Sequence, residues 1–151
     1  MRAIMLLRQT RSIAMSGLKQ QGWENRLFTA IEEAGQRPFT WGSHDCATWA
    51  FDLRRDLIGG EDIAAQWRSR YATALGAQRV MRRLGWKTLE DMGRALLGDP
   101  LVTPLLAQRG DILLGGDNPA FGVCVGARGA FLAPVGLTLL PLVSCRLGWR
   151  T

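Results

Sequence analysis

The residues best suited to chemistry lie in one short segment, Ser43-His44-Asp45-Cys46. Cys46 stands directly ahead of a helical pattern, and the amides at a helix N-terminus favour the thiolate form of a cysteine. His44 is the only histidine in the chain. A thiol hydrolase needs a base that is close in space but usually distant in sequence. No distant histidine exists here to supply it.

Each residue of this segment also has a structural interpretation. Free cysteines are often small buried apolar residues, so Cys46 is either a nucleophile or part of the core. Asp45 is predicted to be the N-cap of the following helix. His44 is two residues before the thiol, a spacing at which side chains usually diverge. It is either a base for Cys46 or a residue that fixes the loop by a hydrogen bond.

Composition indicates a single globular domain with a core of its own. The chain has 151 residues, of which 47% are apolar and 21% charged, and these fractions do not suit disorder.

The three cysteines of the chain match no zinc-binding spacing and predict reduced thiols. Cys124 and Cys145 are expected in the cores of strands. The alternative for them is an iron–sulfur cluster shared with a partner's cysteines. No cofactor is otherwise expected.

The net charge is +6, and arginine dominates it. A basic surface can bind nucleic acid or an acidic protein, or it can simply be solvated. Aromatic residues do not interleave with the arginines, as a single-strand binder would require. Nucleic acid is therefore not the expected partner.

The first 20 residues are predicted to form a basic N-terminal arm, and residues 21–151 a single domain. Met1 to Ser16 contain no acidic residue. Arg8 and Arg11 interrupt the apolar run, which leaves it too short for a signal peptide or a membrane span. The arm is either flexible or the product of an upstream start, with Met15 as the alternative first residue.

Apolar periodicity predicts helices first and strands afterwards. Helices are expected at Trp23–Ala34, with Gly35 as a left-handed cap, and then at Cys46–Leu57, at Ala74–Leu84 and from a Thr88/Asp91 capping box to Leu97. Short apolar runs between turn residues predict strands at Asp111–Leu114, Phe121–Val125, Ala130–Ala133, Leu137–Leu142 and Ser144–Trp149. This order predicts an α+β domain with a small antiparallel sheet.

Two sequence blocks carry a family resemblance. The segment HDCATWAFDL resembles the cysteine motif of NlpC-type hydrolases, which have a papain-like fold, and in particular their bacteriophage tail relatives. The segment AQRGDILLGGDNPAFGVCVG resembles the second block of that family, in which a strand reads His-Val-Gly-Ile. Aligned on that strand, Gly122 and Gly126 match its glycines, and the general-base histidine falls on Ala120. A histidine at that position would be expected to face Cys46.

The resemblance implies a papain-like domain from a phage tail, and the missing histidine implies lost catalysis. The primary hypothesis is a structural or assembly component of the tail tip or baseplate. Its partners would be hub, distal tail or tape-measure proteins, first in the host cytoplasm and then in the virion tail. The second hypothesis is an active cysteine peptidase or amidase that cleaves peptidoglycan stem peptides through Cys46. The third is a basic module that binds nucleic acid.

Overall fold

Within residues 19–151, the part of the chain that the computed structural model describes, four α-helices precede five β-strands. The helices are α1 (Trp23–Gln36), α2 (Cys46–Ile58), α3 (Ala74–Arg83) and α4 (Leu89–Leu97). Short 3-10 helices lie at Ile63–Gln66, Pro104–Leu106 and Leu142–Ser144. The predicted α+β class, with N-terminal helices and a small antiparallel sheet, is confirmed.

Polar side chains cap the starts of three helices, and Thr73 caps α3 by accepting a hydrogen bond from the Gly76 amide at 3.0 Å. Asp45 caps α2, and Thr88 forms a reciprocal capping box with Asp91 at the start of α4. The end of α1 differs from the prediction. Gly35 is helical, and α1 runs on to Gln36 with Arg37 as an extended C-cap. The glycine is therefore not a left-handed cap.

The strands form one antiparallel sheet in the order β4-β3-β2-β1-β5. They are β1 (Ile112–Gly115), β2 (Ala120–Cys124), β3 (Arg128–Ala133), β4 (Gly136–Pro141) and β5 (Cys145–Trp149). β2 lies near the centre, between β1 and β3. In its register with β1, Ala120 pairs with Gly115 and Gly122 with Leu113.

The two faces of the sheet bury different side chains. On one face α2 packs against β2 and β3, and Phe51 of α2 contacts Phe121 of β2 at 5.4 Å between ring centroids. The opposite face buries a smaller cluster around Leu113, Cys124 and Phe131. Since successive strand residues point to opposite faces, the register of β2 decides which of its side chains face the helices.

The predicted N-terminal arm, residues 1–20, falls almost wholly outside the described residues. Its last two residues contact the domain. The Gln20 amide donates to the carbonyl oxygen of Leu57 at 2.7 Å, and the Lys19 ammonium lies 4.8 Å from the centroid of a Trp23 ring. Among residues 19–151, no helix has both the length and the apolar character needed to cross a lipid bilayer.

Candidate functional site at the start of α2

Cys46 is the first residue of α2, directly after a cap whose carboxylate is fully engaged. Asp45 is buried, and its Oδ1 accepts a hydrogen bond from the Thr48 amide at 2.9 Å. Its Oδ2 accepts from the Gly42 amide at 2.8 Å and from the Tyr71 hydroxyl at 2.6 Å. Because three donors bind its carboxylate, Asp45 fixes the loop ahead of Cys46.

The Cys46 thiol is held in its neutral form. Burial raises the pKa of Cys46 to about 11, although the residue as a whole is partly exposed. The thiol is buried while the rest of the residue is partly exposed because the side chain points inward towards β2, where the Phe121 backbone amide faces the sulfur. The amides of Phe121 and Ala47 lower the pKa, as a helix N-terminus should, and the charge of Asp45 raises it. Burial outweighs the amides.

The position expected to carry the general base lies beside this thiol, but its side chain points away. Phe121 packs against α2, so its neighbour Ala120 projects from the opposite face of the sheet. Accordingly, Ala120 packs against the cluster that contains Cys124 and Cys145. The expectation that Cys46 lies near this strand is met. The expectation that a side chain at position 120 faces Cys46 is wrong, because strand register, which the sequence does not display, sets the face.

The His44 ring is directed towards the end of α1. It is buried, and its Nε2 lies 3.5 Å from the carbonyl oxygen of Ala34. Its backbone pairs with Thr40 across an isolated bridge. Burial is the main cause of a lowered His44 pKa, so the ring is neutral near pH 7. Among the described residues, no hydrogen bond joins this imidazole to Cys46.

Tyr71 is the site residue that the sequence analysis missed. Its hydroxyl donates to Asp45, and its pKa is raised by burial first and by that hydrogen bond second. The charge of a Cys46 thiolate would raise it further, which places the phenol within electrostatic reach of the thiol. Tyr71 is the only tyrosine in the chain, and this is the one feature of the sequence that could have drawn attention to it.

The segment that carries Tyr71 is pinned to α2 by polar contacts. Arg68 forms ion pairs with both Asp52 of α2 and Asp62, and it lowers the pKa of Asp62 to about 2. The Trp67 indole donates to the buried Thr48 hydroxyl at 3.1 Å. These contacts hold the phenol over the helix start. The polar side chains around the start of α2 therefore have hydrogen-bond partners, and these bonds make the site rigid.

A cleft between α1 and α2 lies beside His44. It encloses about 180 Å³, and its lining includes His44, Trp49 and Asp52. A second, wider depression of about 450 Å³ shares Ala30, Glu33 and Asp56 with it. These two spaces therefore lie along α1 and beside His44, and the Cys46 side chain lines neither of them.

The other two cysteines belong to the smaller core cluster, on the face of the sheet opposite α2. Cys124 and Cys145 are free and buried, and their sulfurs contact the carbonyl oxygens of Gly126 at 3.2 Å and Pro141 at 3.8 Å. Burial raises the pKa of both thiols. Across residues 19–151, no group of three or more His, Cys, Asp and Glu side chains is placed to hold a metal ion.

These features define an α+β domain with a cysteine at the N-terminus of the helix that packs against the sheet, and the thiol of that cysteine points inward. The chain belongs to the family described as a domain of unknown function, DUF6950, whose model matches residues 18–151. No curated protein matches the sequence.

Proposed function

We propose that the protein is a catalytically degenerate NlpC-like domain that serves as a structural or assembly component of a phage tail tip or baseplate. The observation that carries the loss of catalysis is the state of Cys46. Its thiol is buried with a pKa of about 11, and the only imidazole in the chain contacts the carbonyl oxygen of Ala34 instead. A nucleophile without a base, in its neutral form, does not support acyl transfer.

The assignment to a tail comes from the sequence resemblance, and the surface is compatible with an assembly role. Several large apolar side chains are exposed, among them Val102, Val135 and Val143 at 98%, 92% and 77%. Leu105 and Leu106, on the 3-10 helix that contacts the one carrying Val143, are more than half exposed. Leu105, Leu106 and Val143, on two 3-10 helices that contact each other, are the group that suits a protein interface, since single exposed apolar residues are ordinary on a protein surface. The proposed partners are hub, distal tail or tape-measure proteins, in the host cytoplasm during assembly and then in the virion tail.

An active cysteine peptidase or amidase is the second candidate. The observation in its favour is the position of Cys46 at a helix N-terminus with the Phe121 amide facing the sulfur. Such amides stabilise a thiolate, and they also suit an oxyanion hole. Burial outweighs them here, since the pKa of Cys46 is raised rather than lowered. We therefore place the structural role first.

Association with tail proteins is the first test. Purified virions of a phage that encodes this protein should contain it in a fixed ratio to the tail-tip proteins, as measured by quantitative mass spectrometry. Co-expression should yield a complex with at least one hub, distal tail or tape-measure protein. Absence from virions together with failure to form any such complex would contradict the assembly role.

Alkylation of Cys46 across a pH series tests the state of the site. With a pKa of about 11, the rate with iodoacetamide should rise about tenfold per pH unit from about pH 7 and level off only near pH 11. Peptide mass spectrometry would follow Cys46 apart from the two buried thiols. At about pH 7 the rate should be on the order of a hundredfold below that of an unperturbed thiol.

The control is His44→Ala, which should leave this profile unchanged because the ring contacts Ala34 and not the sulfur. It should instead lower stability by about 1 kcal/mol through the lost loop contact. A plateau below about pH 7 in the parent that disappears in His44→Ala would identify His44 as a working base and defeat the degenerate-site proposal.

A further inference from the structure

One face of α3 carries unpaired positive charge. Leu75, Arg79, Arg82 and Arg83 are all exposed, and spacings of four, seven and eight residues from Leu75 place them on one side of a helix. The opposite side holds Val80, which is buried, and Met81, which packs against the core. The orientation of the helix is therefore fixed, and its arginine face is directed to solvent.

Among residues 19–151, no acidic side chain forms an ion pair with this face. The chain contains no Asp or Glu between Asp62 and Glu90, and none in the first 18 residues. The ion pairs among residues 19–151 use other arginines, namely Arg55, Arg68, Arg94, Arg109 and Arg150. Like charges three and four positions apart repel each other on a helix surface. No ion pair among residues 19–151 offsets this repulsion between Arg79, Arg82 and Arg83.

The helix dipole explains only part of this pattern. Cations in a last turn are favoured by the carbonyl end of a helix, which accounts for Arg82 and Arg83. Arg79 lies a turn earlier, outside that favourable field. Three guanidinium groups within about 6 Å along the axis instead match a partner that presents several carboxylates, since each guanidinium can bind a carboxylate through two N–H groups.

We propose that this face of α3 docks a carboxylate-rich segment of a partner protein. Leu75, which is 56% exposed at the start of the same stripe, provides an apolar contact that such a segment can use and a phosphate backbone cannot. The exposed residues of the stripe include no aromatic ring on which an unpaired base could stack. This inference rests on the proposed assembly role only for the partner's identity as a tail protein.

Binding of defined probes tests the proposal on the full chain. The probe is a fluorescein-labelled peptide of alternating Glu and Leu, with its Gln–Leu counterpart as the neutral control, followed by fluorescence anisotropy at low ionic strength. The Glu–Leu peptide should bind, and the Gln–Leu peptide should not. Arg79→Glu with Arg83→Glu should weaken binding by at least about tenfold.

The matched control is Arg128→Glu with Arg146→Glu, which changes net charge equally at two exposed arginines without ion pairs among the described residues. It should weaken binding by no more than about twofold. An equal loss in both double variants would show a general charge effect and overturn the proposal. So would tighter binding of labelled single- or double-stranded DNA than of the peptide, or no binding of the peptide at all. Because Cys46 alkylation and virion content are measured separately, failure here is distinguishable from failure of the proposed function.

Discussion

Replacing Asp45 with alanine is expected to lower the free energy of unfolding by about 3 to 5 kcal/mol, a large share of the stability of a domain of this size. The carboxylate accepts three hydrogen bonds, from Thr48, Gly42 and Tyr71. Loss of the helix cap alone costs about 1 kcal/mol. The buried Gly42 amide would then lack a partner, at a cost of about 1 to 3 kcal/mol, and the partly exposed Tyr71 hydroxyl would lose a hydrogen bond worth about 1 kcal/mol.

The matched control for this variant is Thr88→Ala at the start of α4. Thr88 is also an N-cap, but it is exposed and accepts only the Asp91 amide. Its loss should cost about 1 kcal/mol, since water can replace the lost acceptor. Urea unfolding of both variants at constant m-value provides the comparison. If Asp45→Ala cost no more than Thr88→Ala, Asp45 would be an ordinary cap and the rigid site described here would not exist.

The close approach of Gly42 to Tyr71 supports the same account of the loop. Gly42 has a φ of +86°, and a Cβ built there would lie 2.3 Å from the Tyr71 carbonyl oxygen. The Gly42 carbonyl oxygen also accepts from the Ser69 amide at 2.9 Å. The segment before Cys46 and the segment that carries Tyr71 are thus joined through backbone and side chain alike. Asp45 is the polar centre of that junction.

Local signals in the sequence predicted the four helices and the five strands, but not the 3-10 helix at Pro104–Leu106 or the one at Leu142–Ser144, whose end residues the apolar runs assigned to strands. Apolar periodicity and the Thr88/Asp91 box located α4, and alternating short runs located the strands. The prediction that Gly35 ends α1 was wrong because glycine is tolerated in a helix interior at a cost of about 1 kcal/mol. Tertiary packing of α1 against α2 outweighs that cost. Propensity is a weak guide to a boundary where packing continues past it.

The site was only partly predictable. Cys46 and Asp45 are adjacent in sequence, so their roles at a helix start follow from local rules. Tyr71 reaches Asp45 from 26 residues away, and no local pattern indicates such a contact. The face of the sheet from which the Ala120 side chain projects depends on strand register, and a shift of one residue would move that side chain to the other face. The His44 contact with Ala34 likewise depends on how the end of α1 meets the loop.

Hydrolysis of peptidoglycan stem peptides by this protein is expected to be absent. Histidine-paired catalytic cysteines reach a pKa of about 3 to 4, so they are fully ionised at about pH 7. A thiol with a pKa of about 11 is ionised to only about one part in ten thousand there. A missing general acid for the leaving amine removes a further factor of about 100 to 10,000. Since a thiolate of higher pKa is the better nucleophile, part of the ionisation loss is recovered, and together these terms predict turnover at least about a thousandfold below that of an active thiol hydrolase.

The measurement that tests the degenerate-site account most directly is therefore product release from purified stem peptides and from intact peptidoglycan, followed by mass spectrometry over a long incubation at about pH 7. The parent protein and its Cys46→Ala variant are compared at equal concentration, with an active NlpC-type enzyme as the positive control. Both proteins are expected to release no more product than buffer. Steady turnover by the parent that Cys46→Ala abolishes would contradict it.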